Sequence, residues 1–364
     1  MADRLLVSTR KGLFAFVRHG SGWKLRRKAF LGENVTLTLA SSSGWYAALN
    51  LGHFGVKLRH SGDEGETWEE RAVPAYPAGE TFVPGDGKPA VPASLQLIWA
   101  LEAGGQDQPG RVWAGTLPGG LFRSDDEGRS WALVRGLWDR PERKKWFGGG
   151  ADVPGIHSIC VDPRDSRSLR VGVSCGGVWL SDDGGENWRL TGGGMFASFM
   201  PPELRNDPAI QDPHRMVQCP SSPDHLWIQH HNGVFRSTDG ARSWREVPDV
   251  PPSVFGFGVA VHPHDPDTAW FVPAIKDETR IPVDGRLVVT RTRDGGRSFT
   301  VLREGLPQEN AFDLVYRHGL AVDDTGDRLA IGSTTGGLWI SEDQGDSWAL
   351  LSAHLPPIYA VCFA

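Results

Sequence analysis

The sequence predicts an all-β fold, a seven-bladed β-propeller built from four-stranded antiparallel blades. Three observations lead to this prediction. An eight-residue phrase with an acidic centre and a closing aromatic residue recurs every 49 to 63 residues, a spacing typical of repeat architectures. The 46 Gly, 26 Pro and 15 Trp among 364 residues favour short strands and tight turns, and no long apolar helical pattern occurs. Six copies of the phrase are clear, at residues 61–68, 124–131, 181–188, 237–244, 292–299 and 341–348.

Each copy of the phrase lies between the third and fourth of four short β-rich runs. The clearest unit has runs at 156–163, 169–174, 178–180 and 188–191, separated by turn residues. Four such runs predict an antiparallel meander. Because one meander cannot bury both of its faces, it needs neighbouring units on either side.

The residue types within the phrase fit a tight turn. The Asp carboxylate can accept backbone N–H bonds of its own turn, and Gly permits a positive φ. The Ser or Thr and the Trp can tie the hairpin to the sheet. We therefore interpret the phrase as a structural signature without a catalytic role.

A seventh unit is divided between the two ends of the sequence. Residues 8–14 match residues 333–339 of the last repeat, but the N-terminal unit lacks a first strand. Residues 358–364 align with residues 156–162, so they are expected to supply it. This closure leaves no open sheet edge. We predict one domain, 1–364, with blades at about 4–30 plus 358–364, 34–73, 94–135, 155–192, 213–248, 255–303 and 315–353.

The phrase and the blade spacing resemble those of bacterial neuraminidase-repeat, or Asp-box, propellers, a sialidase-like and glycosyl hydrolase-like superfamily. The resemblance covers essentially the whole chain and implies the fold. It implies little about activity, because Asp-box propellers include sialidases, xyloglucan-degrading hydrolases, sorting receptors and photosystem assembly factors.

Two departures set this sequence apart from the sialidases it resembles. Sialidases carry a Phe/Tyr-Arg-Ile-Pro segment before their first box, whereas Arg280-Ile281-Pro282 stands before the fifth complete box and follows Thr279. Sialidases usually have six blades and a Tyr nucleophile activated by Glu, and no Glu partner can be assigned here to Tyr359. Sialidase-type glycoside hydrolysis is therefore an alternative, not the leading hypothesis.

The composition excludes several classes of partner. The formal net charge is −6, with Lys+Arg 38 interspersed among Asp+Glu 44, so no broad basic face for nucleic acid is expected. Residues 1–16 show no secretory signal, and four cysteines fit reduced thiols, so we expect a cytoplasmic protein with no membrane partner. No phosphate-loop or dinucleotide motif occurs, which argues against a nucleotide cofactor.

Three histidines share one position on the innermost strands of three blades. His157, His214 and His318 lie 24, 23 and 23 residues before the downstream phrase. Converging at the channel mouth, they could hold a divalent metal of the Zn, Mn or Mg class. The same ring could supply a general base without metal, or each imidazole could simply pack between blades.

Other candidate residues lie on the same predicted rim. His231 and Tyr359 are candidate proton-transfer groups, and Arg215 is a third candidate catalytic residue. Long loops at 192–213 and 273–285, together with 144–150, are expected to form the pocket wall. The candidate substrate-binding residues are Arg10, Lys11, His53, Gln229, His230, Asp313 and Arg317.

These residues favour a hydrolase or lyase that acts on a sugar-like, anionic small molecule at a His-rich, metal-assisted site. Aromatic side chains in the loops suit sugar rings, and the rim cations suit a carboxylate. The competing hypothesis is a non-catalytic Asp-box propeller whose rim binds a protein or a ligand. The sequence does not indicate an oligomeric state.

Overall fold

The computed structural model describes residues 3–20, 22–85, 88–149 and 151–364. These residues contain seven four-stranded sheets with antiparallel pairing, which confirms the predicted propeller. We number the sheets as blades 1 to 7 along the chain. The innermost strands of the seven blades contact one another in a closed circle around a central channel.

The strands are short. Blade 1 contains β1 (Arg4–Thr9), β2 (Gly12–His19), β3 (Gly22–Ala29) and the last strand, β30 (Ile358–Phe363). Blade 2 contains β4 (Val35–Ser41), β5 (Gly44–Asn50), β6 (Val56–Ser61) and β7 (Glu69–Arg71), and a hairpin of β8 (Thr81–Phe82) and β9 (Val91–Pro92) follows it. Blade 3 contains β10 (Leu97–Ala103), β11 (Val112–Leu117), β12 (Leu121–Ser124) and β13 (Ala132–Leu133), and blade 4 contains β14 (Gly155–Val161), β15 (Leu169–Ser174), β16 (Gly177–Ser181) and β17 (Arg189–Thr191).

The remaining blades follow the same pattern. Blade 5 contains β18 (Pro213–Gln218), β19 (Leu226–His230), β20 (Gly233–Ser237) and β21 (Arg245–Val247); blade 6 contains β22 (Gly256–Val261), β23 (Ala269–Pro273), β24 (Val289–Thr292) and β25 (Thr300–Leu302); blade 7 contains β26 (Leu320–Val322), β27 (Leu329–Gly332), β28 (Leu338–Ser341) and β29 (Ala349–Ser352). Helical structure is confined to α1 (Arg135–Trp138) and 3-10 turns at Gly52–Phe54, Pro141–Lys145, Pro208–Ile210 and Val283–Gly285 in the described residues. None of these helices has the length and apolar character needed to cross a membrane.

The C-terminal strand closes the ring as predicted. In blade 1, β30 pairs with β1 in antiparallel register, so that Leu6 lies opposite Cys362 and Val7 lies opposite Val361. On the far side of β1, β2 and β3 complete the sheet. β30 therefore takes the innermost position of this blade, and β1 is paired on both sides.

The core lies between the blades. Seven apolar clusters each join two neighbouring blades in the described residues. In the cluster between blades 3 and 4, Trp113 and Trp179 are fully buried against Val171 and Ile159. Burying one such large apolar side chain stabilises the fold by about 1.5–3 kcal/mol, so the ring is held mainly by these interfaces.

The recurring phrase forms the turn between the third and fourth strands, as the turn at 124–130 shows. The Ser124 hydroxyl donates to Asp126 Oδ1 at 2.8 Å and accepts the N–H of Gly128 at 2.8 Å. The Asp126 carboxylate also accepts the backbone N–H of Ser130 at 2.8 Å and its hydroxyl at 2.6 Å. These bonds, led by the one from the Ser130 side chain, lower the pKa of Asp126 to about 2. Gly128 adopts a φ of +82°, which explains the glycine of the phrase.

Candidate functional site

A pocket of about 560 Å³ opens between blades 4, 5 and 6, on the rim opposite the repeated turns. Loops that lead into innermost strands meet here with the turns between second and third strands. All three loop segments expected to form the pocket wall contribute residues, although Gly150 lies outside the described part of the chain. The pocket is lined by Phe147, Gly149, Cys175, Phe199, Asp212, His214, His231, Asn232, Ser253, Val254, Phe255, Phe257, Ile275, Lys276, Asp277, Glu278 and Arg280.

Asp212 lies at the centre of the polar part of this pocket. Its Oδ1 accepts hydrogen bonds from the Ser174 hydroxyl and from the Cys175 backbone N–H, both at 3.1 Å. Its Oδ2 lies 3.5 Å from His214 Nε2 and 3.5 Å from His231 Nδ1. Burial would raise the pKa of Asp212, but its contacts with the two imidazoles outweigh burial and hold the pKa well below the usual range. The carboxyl group is therefore ionised.

His214 is fixed between the two neighbouring blades. Its Nδ1 lies 2.7 Å from the carbonyl oxygen of Gly256, and its ring stacks on Phe257 with centroids 4.5 Å apart. A carbonyl can only accept, so Nδ1 carries a proton. Burial lowers the pKa of His214 despite the nearby Asp212 carboxylate. Nδ1 is therefore occupied by Gly256, and Nε2 is the ring nitrogen that faces Asp212.

His231 is the member of this cluster that reaches solvent. Its side chain is 23% exposed, whereas those of Asp212 and His214 are 4% and 3% exposed. The edges of Phe199 and Phe255 pack around it, with ring centroids 4.8 Å and 5.9 Å away. Its Nδ1 faces Asp212, and its Nε2 has no hydrogen-bond partner among the described residues.

Two cations also line the pocket. Arg280 pairs with Asp277 and lies over Phe257, with Cζ 5.3 Å from the ring centroid. Lys276 is 61% exposed and lies 3.5 Å from Glu278. Asp277 and Glu278 therefore offset part of this positive charge.

Arg317, a predicted substrate-binding residue, is buried beneath the same aromatic ring. Its Cζ lies 5.3 Å from the centroid of Phe257 and 4.8 Å from that of Trp99. Its Nε and Nη2 are buried without a hydrogen-bond partner among the described residues. Burial lowers the pKa of Arg317 to about 10. Two unsatisfied N–H groups are unusual in a buried guanidinium, and the negative charge of Asp212 opposes the lowering of its pKa.

The three aligned histidines do not form one ligand set, which corrects the predicted arrangement. His157 is fully buried, with Nδ1 2.9 Å from Ser158 Oγ. His318 Nε2 lies 3.0 Å from the carbonyl oxygen of His157 instead of beside His214. The described residues contain a different group of three possible ligands, Asp212, His214 and His231, whose ligand atoms all lie within 4.8 Å of one another.

The strand pairing of blade 5 explains which side chains meet. β18 and β19 place Pro213 opposite His230, so Asp212, His214 and His231, which flank that pair, lie together. The register of β14 shifts at His157 as that of β18 shifts at His214, so this shared irregularity does not distinguish the two histidines.

Two further candidates support the pocket without lining it. Gln229 is buried and donates to the Val254 carbonyl at 2.9 Å. The ring nitrogens of His230 lie 3.0 Å and 3.1 Å from the backbone N–H groups of Asp212 and Asn232. Burial lowers the pKa of His230 to about 3. These contacts position the backbone of Asp212 and the turn that carries His231.

The remaining candidates lie elsewhere on the rim or in the channel. The exposed Arg10 and Lys11 follow β1, and the exposed His53 packs against Phe54 with ring centroids 3.9 Å apart. Asp313 accepts hydrogen bonds from the hydroxyls of Ser333 and Thr335. None of these, nor Tyr359, is among the residues that line the rim pocket.

Arg215 belongs to a second cavity, of about 740 Å³, in the channel. Its Nη1 donates to the His157 carbonyl at 3.0 Å. Glu102 faces the same cavity, and burial raises its pKa to about 7 although the charge of Arg215 opposes the shift. Sequence reasoning missed Glu102, since one acidic residue in a strand gives no spacing signal.

Asp212 was also missing from the predicted site residues, although its loop was expected to form the wall. The sequence signal was present, since Asp212 and His214 flank Pro213 at the start of an innermost strand. Lys276 and Arg280 were recognised only as part of a long loop. Their proximity to the cluster depends on how blades 5 and 6 pack.

No family model matches the sequence. The chain is similar to a probable oligoxyloglucan-reducing end-specific xyloglucanase of Neosartorya fischeri, with 22% identity over 276 residues, 68% of this chain and 31% of that enzyme. It is also similar to a sialidase of Bacteroides fragilis, with 28% identity over 162 residues, 38% of this chain and 29% of that enzyme. The chain thus spans about a third of the length of these curated relatives.

Solved structures share the fold. An ancestral GH74 enzyme aligns with a TM-score of 0.58 and 18% identity, covering 87% of this chain and 37% of that one. YCF48 bound to a D1 peptide aligns with a TM-score of 0.57 and 15% identity, covering 94% of this chain and 90% of that one. At these identities the likeness shows the propeller fold alone.

Proposed function

We propose that the protein is a glycoside hydrolase-like enzyme that acts on a small, sugar-like substrate with an anionic group, bound in the rim pocket. The observation that carries the proposal is the convergence of the Asp212, His214 and His231 cluster with Lys276 and Arg280 in one cavity of about 560 Å³. A concave site with convergent polar groups and shifted pKa values is a good candidate for an active site.

The pocket divides into parts with different roles. Phe147, Phe199 and Phe255 offer aromatic surface for a sugar ring. Arg280 can form a charge-assisted hydrogen bond with a carboxylate of the substrate. The cluster around Asp212 then serves as the reaction centre, where hydrolysis or β-elimination requires a proton to be transferred.

The relatives support a carbohydrate substrate. The curated proteins that the chain resembles are named as xyloglucanases and a sialidase, which place glycoside hydrolysis among the activities found on similar propellers. An anionic substrate is inferred from the cations of this pocket and not from those names.

Matched aryl glycosides test the proposal. Purified protein is incubated with 4-nitrophenyl glucuronides and glucosides of both anomers, and release of nitrophenol is followed. A uronide disaccharide linked through C4, which carries a leaving group there, tests β-elimination through the ultraviolet absorbance of its unsaturated product. We expect the uronides to be turned over with the higher kcat/KM. His231→Ala should lower kcat by at least about 100-fold, the usual contribution of one acid–base or metal-holding group.

Two variants complete the test. Arg280→Met should raise KM for the uronide about tenfold, because a hydrogen bond to a charged group contributes about 1.5–3 kcal/mol. His53→Ala, which removes an exposed histidine outside the pocket, should behave as wild type. Turnover of no glycoside or uronide, or full activity in His231→Ala, would contradict the proposal and favour the binding-scaffold alternative.

A further inference from the structure

We propose that Asp212 Oδ2, His214 Nε2 and His231 Nδ1 bind one divalent transition-metal ion, of the zinc class, at the floor of the rim pocket. This inference rests on the proposed function only for what the ion would do in a reaction. Metal binding itself can be measured without a substrate.

The distances fit a metal better than hydrogen bonds. Asp212 Oδ2 lies 3.5 Å from each of the two imidazole nitrogens. A charge-assisted hydrogen bond between such groups would be about 2.7–2.9 Å long. Ligands bound tetrahedrally at about 2.0–2.2 Å from zinc are instead about 3.3–3.5 Å apart. Asp212 Oδ2 is therefore spaced from each imidazole nitrogen as two ligands of one ion are, and all three atoms lie within 4.8 Å of one another.

The orientation of His214 also fits a ligand. Its Nδ1 lies 2.7 Å from the Gly256 carbonyl, which can only accept, so that nitrogen is occupied. Nε2 is then the ring nitrogen left to bind an ion, and it lies 3.5 Å from Asp212 Oδ2.

The outer contacts are those of a metal site. Ser174 and Cys175 occupy Asp212 Oδ1 and leave Oδ2 free. The Gly256 carbonyl orients the ring of His214, as second-layer acceptors commonly orient metal-binding histidines. These contacts preset both ligands independently of any ion.

The remaining coordination positions face the pocket, because all three ligands line it. Three protein ligands with open positions are typical of catalytic zinc, which polarises a substrate oxygen and lowers the pKa of bound water. His231 would then act by holding the ion. Arg280 and Lys276, which line the same pocket, would hold the substrate anion near it.

Metal titration of the full chain tests this inference. Protein stripped with a chelator is titrated with Zn²⁺ by calorimetry and with Co²⁺ by visible absorption, which reports coordination geometry. We expect one equivalent to bind. Asp212→Asn and His231→Ala should each weaken binding at least about tenfold, since even outer-layer changes cost 10–100-fold. His354→Ala, which removes an exposed histidine outside the pocket, should bind as wild type.

The outcomes separate this inference from the proposed function. His231 is partly exposed, so His231→Ala should fold, and circular dichroism checks that it does. Absence of stoichiometric binding in wild type, or equal binding in His231→Ala, overturns the metal site even if sugars are turned over. One tightly bound ion without turnover of any sugar retains the metal site and overturns the proposed function.

Discussion

At the scale of single residues, two buried arginines differ in whether their guanidinium groups have hydrogen-bond acceptors. Arg170 Nη1 has an acceptor in Ser168 Oγ at 2.8 Å and a second in Asp162 Oδ2 at 3.4 Å. Arg317 is equally buried but keeps Nε and Nη2 without a partner. A buried charge that is unpaired destabilises a fold, whereas a paired one is costly to disrupt.

We therefore expect Arg317→Met to leave the free energy of unfolding within about 1 kcal/mol of wild type, or to raise it, because desolvation of the cation is relieved. Its contacts with Trp99 and Phe257 offset part of that gain. The matched change Arg170→Met should lower the free energy by about 3 kcal/mol, since it breaks a buried pair. Urea denaturation measures both. A large loss in Arg317→Met would be inconsistent with an unpaired guanidinium.

At the scale of elements, the repeated turn is a side-chain network that closes each outer hairpin. In blade 3 the Asp126 carboxylate bonds to Ser124 and Ser130, and Gly128 supplies the positive φ. Every bond in this network is local, which explains why the turn could be interpreted from sequence.

Asp126→Ala should lower the free energy of unfolding by about 1–2 kcal/mol, because the turn loses acceptors for the N–H and hydroxyl of Ser130. The neighbouring Asp125→Ala removes only exposed ion pairs with Arg111 and Arg123, so it should cost less than about 1 kcal/mol. Denaturant titration compares the two variants.

The contribution of Asp126 to the free energy of unfolding should decrease as the pH falls. Its pKa is lowered to about 2 in the fold, against about 3.9 in an unfolded chain. The contribution is therefore present above pH 4 and is lost as the pH falls towards 2. The difference between wild type and Asp126→Ala should shrink over that interval; a constant difference would argue against a role for the ionised carboxylate.

The contrast between turn and site shows what sequence can predict. The phrase and the matching ends predicted seven blades and their closure, since both depend on local or repeated patterns. A pocket does lie on the predicted rim. The grouping of His157, His214 and His318 was wrong. Asp212, His214 and His231 meet within blade 5, where β18 and β19 pair Pro213 with His230. A pairing between two strands leaves no periodic pattern in the sequence.

At the scale of the whole molecule, the ring depends on one pairing between the first and last strands. Leu6 and Cys362 lie directly opposite each other in β1 and β30, and Cys362 is a free thiol. Opposite residues in antiparallel strands have Cα atoms about 4.5–5.5 Å apart, which a disulfide can span.

Leu6→Cys should form a disulfide with Cys362 on oxidation and raise the free energy of unfolding by about 2–4 kcal/mol, since the bond closes a very long loop. The same variant kept reduced is the control, which corrects for the loss of the Leu6 side chain. Thermal unfolding of the two forms gives the difference. A lower melting temperature for the oxidised form would show that the two positions do not pair in this register.

The division of blade 1 between the two termini also orders events during translation. Among the strands of the ring, those at 4–29 are synthesised first, and their innermost neighbour, β30, is synthesised last. Until then one edge of β1 has unpaired amide and carbonyl groups, with which other strands can pair. The ring can therefore close only after synthesis has passed residue 363.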